Sequence, residues 1–304
     1  MTATPAEVQT VTAARRLRHA GSVFIGVGRP STAAILARMV HNPKLVLVYE
    51  SGTVGAKPTQ VPLSIGDGEL AQTADSIVSV PEMFNYWIGP GRIDVAFLGA
   101  ARKLVFSYGG NPGVGSLHRF RDAIEHGWPH RLEIEEHSHA GMANRYAAGA
   151  ARLPCALMRG YHGTDLVAHT RVAEVRCPFT GERLTAVPAL NPDVAIVHAQ
   201  EADRAGNVQL WGIPGVQKEA VLAARRSLVT VERIVPRLEP RPGGVVIPGW
   251  VIDLVAAAPG GSRPSYSLGI TSRDNDFYRE WDAISRDRER FTQWMDENVL
   301  SPVG

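Results

Sequence analysis

The stretch Leu45-Val46-Leu47-Val48-Tyr49-Glu50-Ser51-Gly52 constrains the fold more than any other, because an unbroken apolar run ends there in a carboxylate and a glycine. A run of this kind, bounded by turn residues, reads as a strand buried on both faces, which is the mark of a parallel sheet clothed by helices. Just before it, Ser22-Val23-Phe24-Ile25-Gly26-Val27-Gly28-Arg29-Pro30 reads as a strand entering a glycine turn, with Ser31 or Thr32 placed to cap a helix over residues 33–40. Together they make one βαβ unit, which brings the Gly26–Gly28 turn and Glu50 to the same sheet edge. The predicted fold class is α/β, an open and mostly parallel sheet with helices on both faces. Ligands bind outside the carboxyl ends of such strands, so Glu50 stands where chemistry is done.

The chain has 304 residues, enough for one large α/β domain or two smaller ones. With 20% charged residues and a net charge of +2, it offers no electrostatic reason to expect nucleic acid or an anionic membrane as partner. No stretch approaches the roughly 18 apolar residues of a membrane span, and residues 1–21 lack the apolar segment of a secretion signal. Cys155 and Cys177 form no C-x-x-C pair and lie in apolar sequence, so buried thiols in a reduced, cytoplasmic protein are expected.

Further elements follow from pattern. Helices are expected at residues 5–19, 82–87, 116–126, 140–151 and 216–226, and one long helix at 274–298. Strands are expected at 76–80, 92–99, 103–108, 132–136, 155–159, 171–176, 184–187, 193–198, 228–231 and 250–256. Residues 63–69 read as a loop, and the four prolines between Pro236 and Pro248 mark a long surface loop. Residues 93–100 echo residues 192–199: each has Asp-Val-Ala, two further apolar or aromatic positions and a small last residue.

Glu50 is the strongest candidate for chemistry. By position it suits a nucleophile, a general base, a metal ligand or an ion-pair partner. The Gly26-Val27-Gly28 turn is no dinucleotide fingerprint, since Ser31 interrupts G-x-G-x-x-G. Glu133-Ile134-Glu135-Glu136-His137-Ser138-His139 lacks H-E-x-x-H, so a solvated strand end, or hydrogen-bonded histidines near a subunit contact, is expected there and no metal site. Neither Ser51 nor Ser138 has the G-x-S-x-G context of a serine hydrolase.

Taken together, these residues resemble the family I CoA-transferases of the glutaconate and 3-oxoacid type. Residues 1–101 resemble the β-type subunit, through Gly26-Val27-Gly28-Arg29-Pro30, Glu50-Ser51-Gly52, Ser64-Ile65-Gly66-Asp67 and Gly99-Ala100. Residues 102–304 resemble the α-type subunit. There the likeness runs through Arg102–Pro112, Glu135–His139, Pro178-Phe179-Thr180-Gly181-Glu182, His198-Ala199-Gln200, Asp203–Val208 and Ala258-Pro259-Gly260-Gly261. The β-type pattern usually continues past Ala100 with Gln and an Asp-x-x-Gly-Asn turn. Here Ala101 replaces the Gln, and that turn occurs once, at Asp203–Asn207. The chain thus reads as the front of one subunit type joined to the back of the other, which explains the internal echo.

The resemblance implies that Glu50 attacks an acyl-CoA thioester and becomes a glutamyl-CoA thioester, which an acceptor acid then opens. It implies backbone donors for the oxyanion at Gly26, Gly28, Gly99 and Ala100, each worth on the order of 3 kcal/mol. Coenzyme A enters as substrate, with no permanently bound cofactor. A complementary subunit or a second copy is the expected partner. The alternatives are a hydrolase of acyl-CoA or of cyclic diketone thioesters, with Glu135 or Glu136 as acid/base, and a non-catalytic chain that completes a partner's site.

Overall fold

The computed structural model describes residues 3–25, 29–49, 51, 53–62, 67–77, 103–107 and 115–300. The expected helix at 82–87 and strand at 92–99 lie outside these residues. The front of the chain is the βαβ unit foreseen from sequence. Strand β1 (Ser22–Ile25) pairs in parallel with β2 (Val46–Tyr49), with helix α2 (Arg29–Val40) between them in sequence. Short antiparallel strands β3 (Thr53–Val54) and β4 (Ser76–Ile77) extend the sheet. Helix α1 (Pro5–Arg16) opens with a capping box between Thr4 and Glu7 and packs with α2 over Ile25, Leu47 and Tyr49.

Two local expectations are corrected here. Helix α2 begins at Arg29, with no cap at Ser31 or Thr32. Pro30 fits a first turn, where its missing N–H leaves no bond unmade. Ser31 is therefore inside the helix, fully buried, with its hydroxyl 3.0 Å from that of Tyr49. Of the expected loop at 63–69, residues 63–66 lie outside the described residues, and Gly68 and Glu69 instead open helix α3 (Gly68–Thr73), capped by Asp67, which accepts a hydrogen bond from the Glu69 N–H at 2.9 Å.

The back of the chain carries three more sheets. Strands β5 (Lys103–Phe106) and β6 (Glu133–Glu136) form a parallel pair, with α4 (His118–Glu125) between them in sequence. After α5 (His139–Ala150), strands β7 (Cys155–Met158), β8 (Ala173–Arg176) and β9 (Arg183–Pro188) form an antiparallel sheet in the order β7-β9-β8, and the short helix α6 (Leu166–His169) precedes β8. The largest sheet runs β13-β11-β10-β12-β14. Its parallel core is β10 (Val194–Asp203), β12 (Arg226–Val235) and β14 (Leu254–Ala257), with β11 (Val208–Leu210) and β13 (Val245–Ile247) antiparallel at one side. Helix α7 (Gln217–Ala223) covers one face, and Val197, Val229, Val231 and Ile247 fill the core beneath it. The proline-rich loop is thus interrupted by an edge strand, and Ile247 in it is fully buried.

The expected single helix at 274–298 is two helices, α8 (Asn275–Arg286) and α9 (Arg288–Met295), broken at Asp287. Asp287 has an extended backbone and caps α9 by accepting from the Arg290 N–H at 2.9 Å. The break folds Phe277, Trp281, Phe291 and Trp294 onto one another as an aromatic cluster. Both cysteines are half-buried, a correction to the expected buried thiols. The Cys177 thiol sits in the tight β8–β9 turn, where hydrogen bonds from the Thr180 hydroxyl and nearby N–H groups pull its pKa down. Among the described residues no helix is long and apolar enough to cross a membrane, and no cluster of His, Cys, Asp and Glu could hold a metal ion.

Candidate active site

At the carboxyl edge of the front sheet, Ile25 and Tyr49 end β1 and β2 side by side. Tyr49 is wholly buried between α1, α2 and the sheet, and Ser51 and Thr53 just beyond it are buried with their hydroxyl oxygens 3.3 Å apart. Burial pushes the Tyr49 phenol up, against the effect of its bond to Ser31, and the Asp67 and Glu69 carboxylates push it further. Glu50, Gly26, Gly28, Gly99 and Ala100 lie outside the described residues.

Within the Glu133–His139 stretch, Glu135 and His137 anchor a polar network around a buried imidazole. His137 has no exposed side-chain surface, and its Nε2 lies 2.9 Å from Glu135 Oε1, which also accepts from Arg145 Nη1 at 3.1 Å. Lys103 Nζ reaches Glu135 Oε2 at 3.1 Å and Glu133 at 2.8 Å. On its other side, His137 Nδ1 is 3.0 Å from the Tyr161 hydroxyl, which accepts from the Ser138 N–H at 3.3 Å. Arg145 Nη1 lies 2.6 Å from the same Nε2, so Nε2 either donates to Glu135 or accepts from Arg145, and the Tyr161 hydroxyl donates to Nδ1 in the first case and accepts from it in the second. Burial and the Arg145 charge keep the imidazole neutral, with its pKa below the ordinary histidine value. Glu135 resists its own burial because His137, Lys103 and Arg145 favour the carboxylate, and its pKa drops to about 2. Such a carboxylate is a weak base. Glu136 is exposed, and its carbonyl oxygen accepts from the Thr170 hydroxyl. Among the described residues the contacts of this network tie β5 and β6 to α5 and include none to the β2 edge.

A second polar centre lies on the largest sheet. Glu232, buried in β12, accepts from the Gly260 N–H at 2.6 Å, the Thr271 hydroxyl at 3.0 Å and the Ser262 hydroxyl at 3.3 Å. His198, on the neighbouring strand, is 3.2 Å from Glu232 through Nε2 and 2.9 Å from the Thr230 hydroxyl through Nδ1. Burial opposes the charge on Glu232, but these donors win and hold its pKa at about 2. The Ala258-Pro259-Gly260-Gly261 loop leaving β14 is therefore strapped across the sheet. A Cβ on Gly261 would lie 3.0 Å from the His198 ring, so this approach needs glycine. Beside the strap is a cavity of about 330 Å3 lined by His198, Gln200, Trp211, Gln217 and residues of the 262–268 loop.

The Asp203–Asn207 motif is a hairpin turn. Asp203 Oδ1 accepts from the Ala205 and Asn207 N–H groups at 2.9 and 3.0 Å, and Asn207 Oδ1 accepts from the Gly249 N–H at 2.9 Å. Arg145, Tyr161, Trp211, Gln217, Glu232 and Tyr266 were not singled out from sequence. Only the polar interruption of a buried strand could have marked Glu232, and the others carry no local signal.

A family model described as "Coenzyme A transferase" matches the chain twice, over residues 6–105 and over residues 102–258. One of the two 3-oxoadipate CoA-transferase subunits of Pseudomonas knackmussii is 59% identical over 202 residues, which cover 66% of this chain and 72% of that relative. The other 3-oxoadipate CoA-transferase subunit of the same organism is 60% identical over 96 residues, 32% of this chain and 37% of its own length. The chain thus spans little more than a third of that second relative. The crystal structure of glutaconate coenzyme A-transferase from Acidaminococcus fermentans superposes with a TM-score of 0.60 at 29% identity, over 66% of this chain and 68% of that one.

Proposed function

Since this chain belongs to the coenzyme A transferase family, we propose that it moves coenzyme A between an acyl-CoA and a free carboxylic acid, with Glu50 as covalent nucleophile. The observation that carries this is the pairing of β1 with β2. A buried parallel strand ends at Tyr49, beside the end of its partner, and the next residue in the chain is a carboxylate. In the proposed reaction the Glu50 carboxylate attacks the thioester carbonyl carbon, the C–S bond breaks and CoA leaves as thiolate. The thiolate then attacks the glutamyl carbonyl of the mixed anhydride, releasing the first acid as carboxylate. The acceptor carboxylate repeats the sequence in reverse. Two easier steps replace one hard one at each exchange. Backbone N–H groups at Gly26, Gly28, Gly99 and Ala100 are the proposed donors to the oxyanion.

The acid is a short-chain oxoacid in this proposal, supported by the 59% identity to a protein named for 3-oxoadipate. Residues 1–101 act as the β-type part and 102–304 as the α-type part, in a cytoplasmic assembly with a complementary subunit or a second copy. The hydrolytic alternative gains no support from Glu135, whose pKa of about 2 suits a fixed anion better than a water-activating base.

Intact mass spectrometry after incubation with short acyl-CoAs, followed by hydroxylamine, tests the assignment. The expected result is a CoA-sized adduct on Glu50 that hydroxylamine removes and that Glu50→Ala abolishes. Turnover retained in Glu50→Ala would sink it.

A further inference from the structure

The residues on either side of Glu50 in the chain both carry hydroxyls and both are buried, Tyr49 wholly and Ser51 with 3% exposure. Val48 pairs with Val54 in antiparallel fashion, so the chain reverses between them, and Glu50 falls in sequence within that reversal. On the far side the Ser51 hydroxyl lies 3.3 Å from that of Thr53, a bond that stays inside the turn. On the near side the bond reaches another element. The Tyr49 hydroxyl is 3.0 Å from that of Ser31, which stands in the first turn of α2 and is also wholly buried.

Stability alone gives little reason for that pair. The core around it is hydrocarbon, with Ile25, Ile35, Leu47 and Leu70 among its members. Two buried hydroxyls that bond each other contribute about as much there as two apolar groups of the same shape. What the bond adds is direction, because a hydrogen bond fixes distance and angle where apolar contact does not.

The two ends of this bond are the two sides of the proposed reaction. Helix α2 follows the Gly26-Val27-Gly28 turn directly in the chain, and Glu50 follows Tyr49 directly. The bond therefore ties the helix that starts beyond the proposed oxyanion donors to the strand that leads into the proposed nucleophile. Ladder bonds set β1 against β2, with Ile25 opposite Tyr49. Helix α2 has only apolar contact to hold it on that sheet, through Ala34, Ile35 and Ala37, apart from the Ser31 hydroxyl. Helices packed in this way shear by small slides, and a directional bond from helix to strand opposes the slide.

We propose that Ser31 and Tyr49 are positioning residues for the transfer, their hydrogen bond holding the Gly26–Gly28 turn and Glu50 at the separation from which the carboxylate attacks the thioester. This rests on the nucleophile assignment made above. The test follows, on the full chain, the rate at which the hydroxylamine-sensitive adduct forms as the concentration of acetyl-CoA, butyryl-CoA or glutaryl-CoA is raised. Tyr49→Phe and Ser31→Ala should each lower the maximal rate about tenfold and leave the half-saturating acyl-CoA concentration within about twofold. Both remove the same bond, so the double variant should be no slower than either single one. Ile35→Val trims the same core without touching the bond; it should lower the melting temperature much as Tyr49→Phe does and keep the full rate. Full rates in both single variants, losses that multiply in the double variant, or an equal loss in Ile35→Val would each overturn the positioning role. The nucleophile assignment fails separately, if Glu50→Ala still accumulates the adduct, and an unaltered chain that forms none removes both.

Discussion

Protonating a carboxylate that several donors hold in place costs stability, and Glu135 and Glu232 are both so held. Each has a folded-state pKa of about 2 against an ordinary value of 4.5, so its contribution is complete above pH 4.5 and is lost as pH falls toward 2. His137 acts in the same direction from a higher pH. Its folded-state pKa lies below 6.5, so the unfolded chain takes up the proton first and stability declines as pH drops through that value. The melting temperature should therefore fall from about pH 6.5 downward, most steeply between 4.5 and 2, and Glu135→Gln should flatten the lower limb. A melting temperature constant to pH 3 would contradict this. Gly141 gives a second test: a Cβ there would lie 1.7 Å from the Tyr161 hydroxyl, so Gly141→Ala should destabilise by about 2 kcal/mol in urea unfolding. At this scale the sequence announces polarity but not partnership. Glu135-Glu136-His137 reads as a solvated strand end or as hydrogen-bonded histidines near a subunit contact; His137 is buried and hydrogen-bonded, while Arg145 and Tyr161, which complete the network, sit 8 and 24 residues from it.

Helices α4, α8 and α9 are joined through two carboxylates, Asp122 buried and Asp282 half-buried. Asp122 accepts from Arg119 at 2.9 Å and from Arg288 at 2.8 and 2.7 Å, and Asp282 accepts from the Ser116 N–H at 2.8 Å and pairs with His118 at 2.9 Å. Arg119 in turn donates to the carbonyl of Ser285 near the end of α8 at 2.6 Å and lies over Trp128 at 5.1 Å. Asp122→Ala leaves the buried Arg119 without its acid and should cost about 3 kcal/mol, with amide hydrogen exchange rising first in residues 275–295. Asp287→Ala removes only a cap and should cost about 1 kcal/mol, leaving that exchange pattern intact outside α9. The aromatic stripe of 274–298 makes helix legible there, but the break is not, because Asp287 looks like any polar residue on a solvated face until its backbone turns. The same holds for α2: a serine after proline suggests a cap, and the helix starts two residues earlier because proline itself fits the first turn. Strand β13 was hidden by the prolines around it.

The chain matches its family over residues 6–105 and 102–258, two stretches that meet near residue 102. The class of fold comes from short contiguous patterns and is therefore readable in sequence. The cavity is not, because residues 198, 211, 217 and 265 come together only when the largest sheet closes. Light scattering should return a mass above the 32.9 kDa of one chain, as an assembly built with a second copy or a complementary subunit requires. The strand order of that sheet also bears on how the chain is made. Strand β10 meets β11 through the five-residue Asp203–Asn207 turn, but its parallel partner β12 begins only at Arg226 and β14 only at Leu254. As the chain leaves the ribosome, the hairpin closes while its partners are still unmade. The nascent protein then carries an apolar strand with one edge bare until β12 emerges, and that interval is when a chaperone has most to shield.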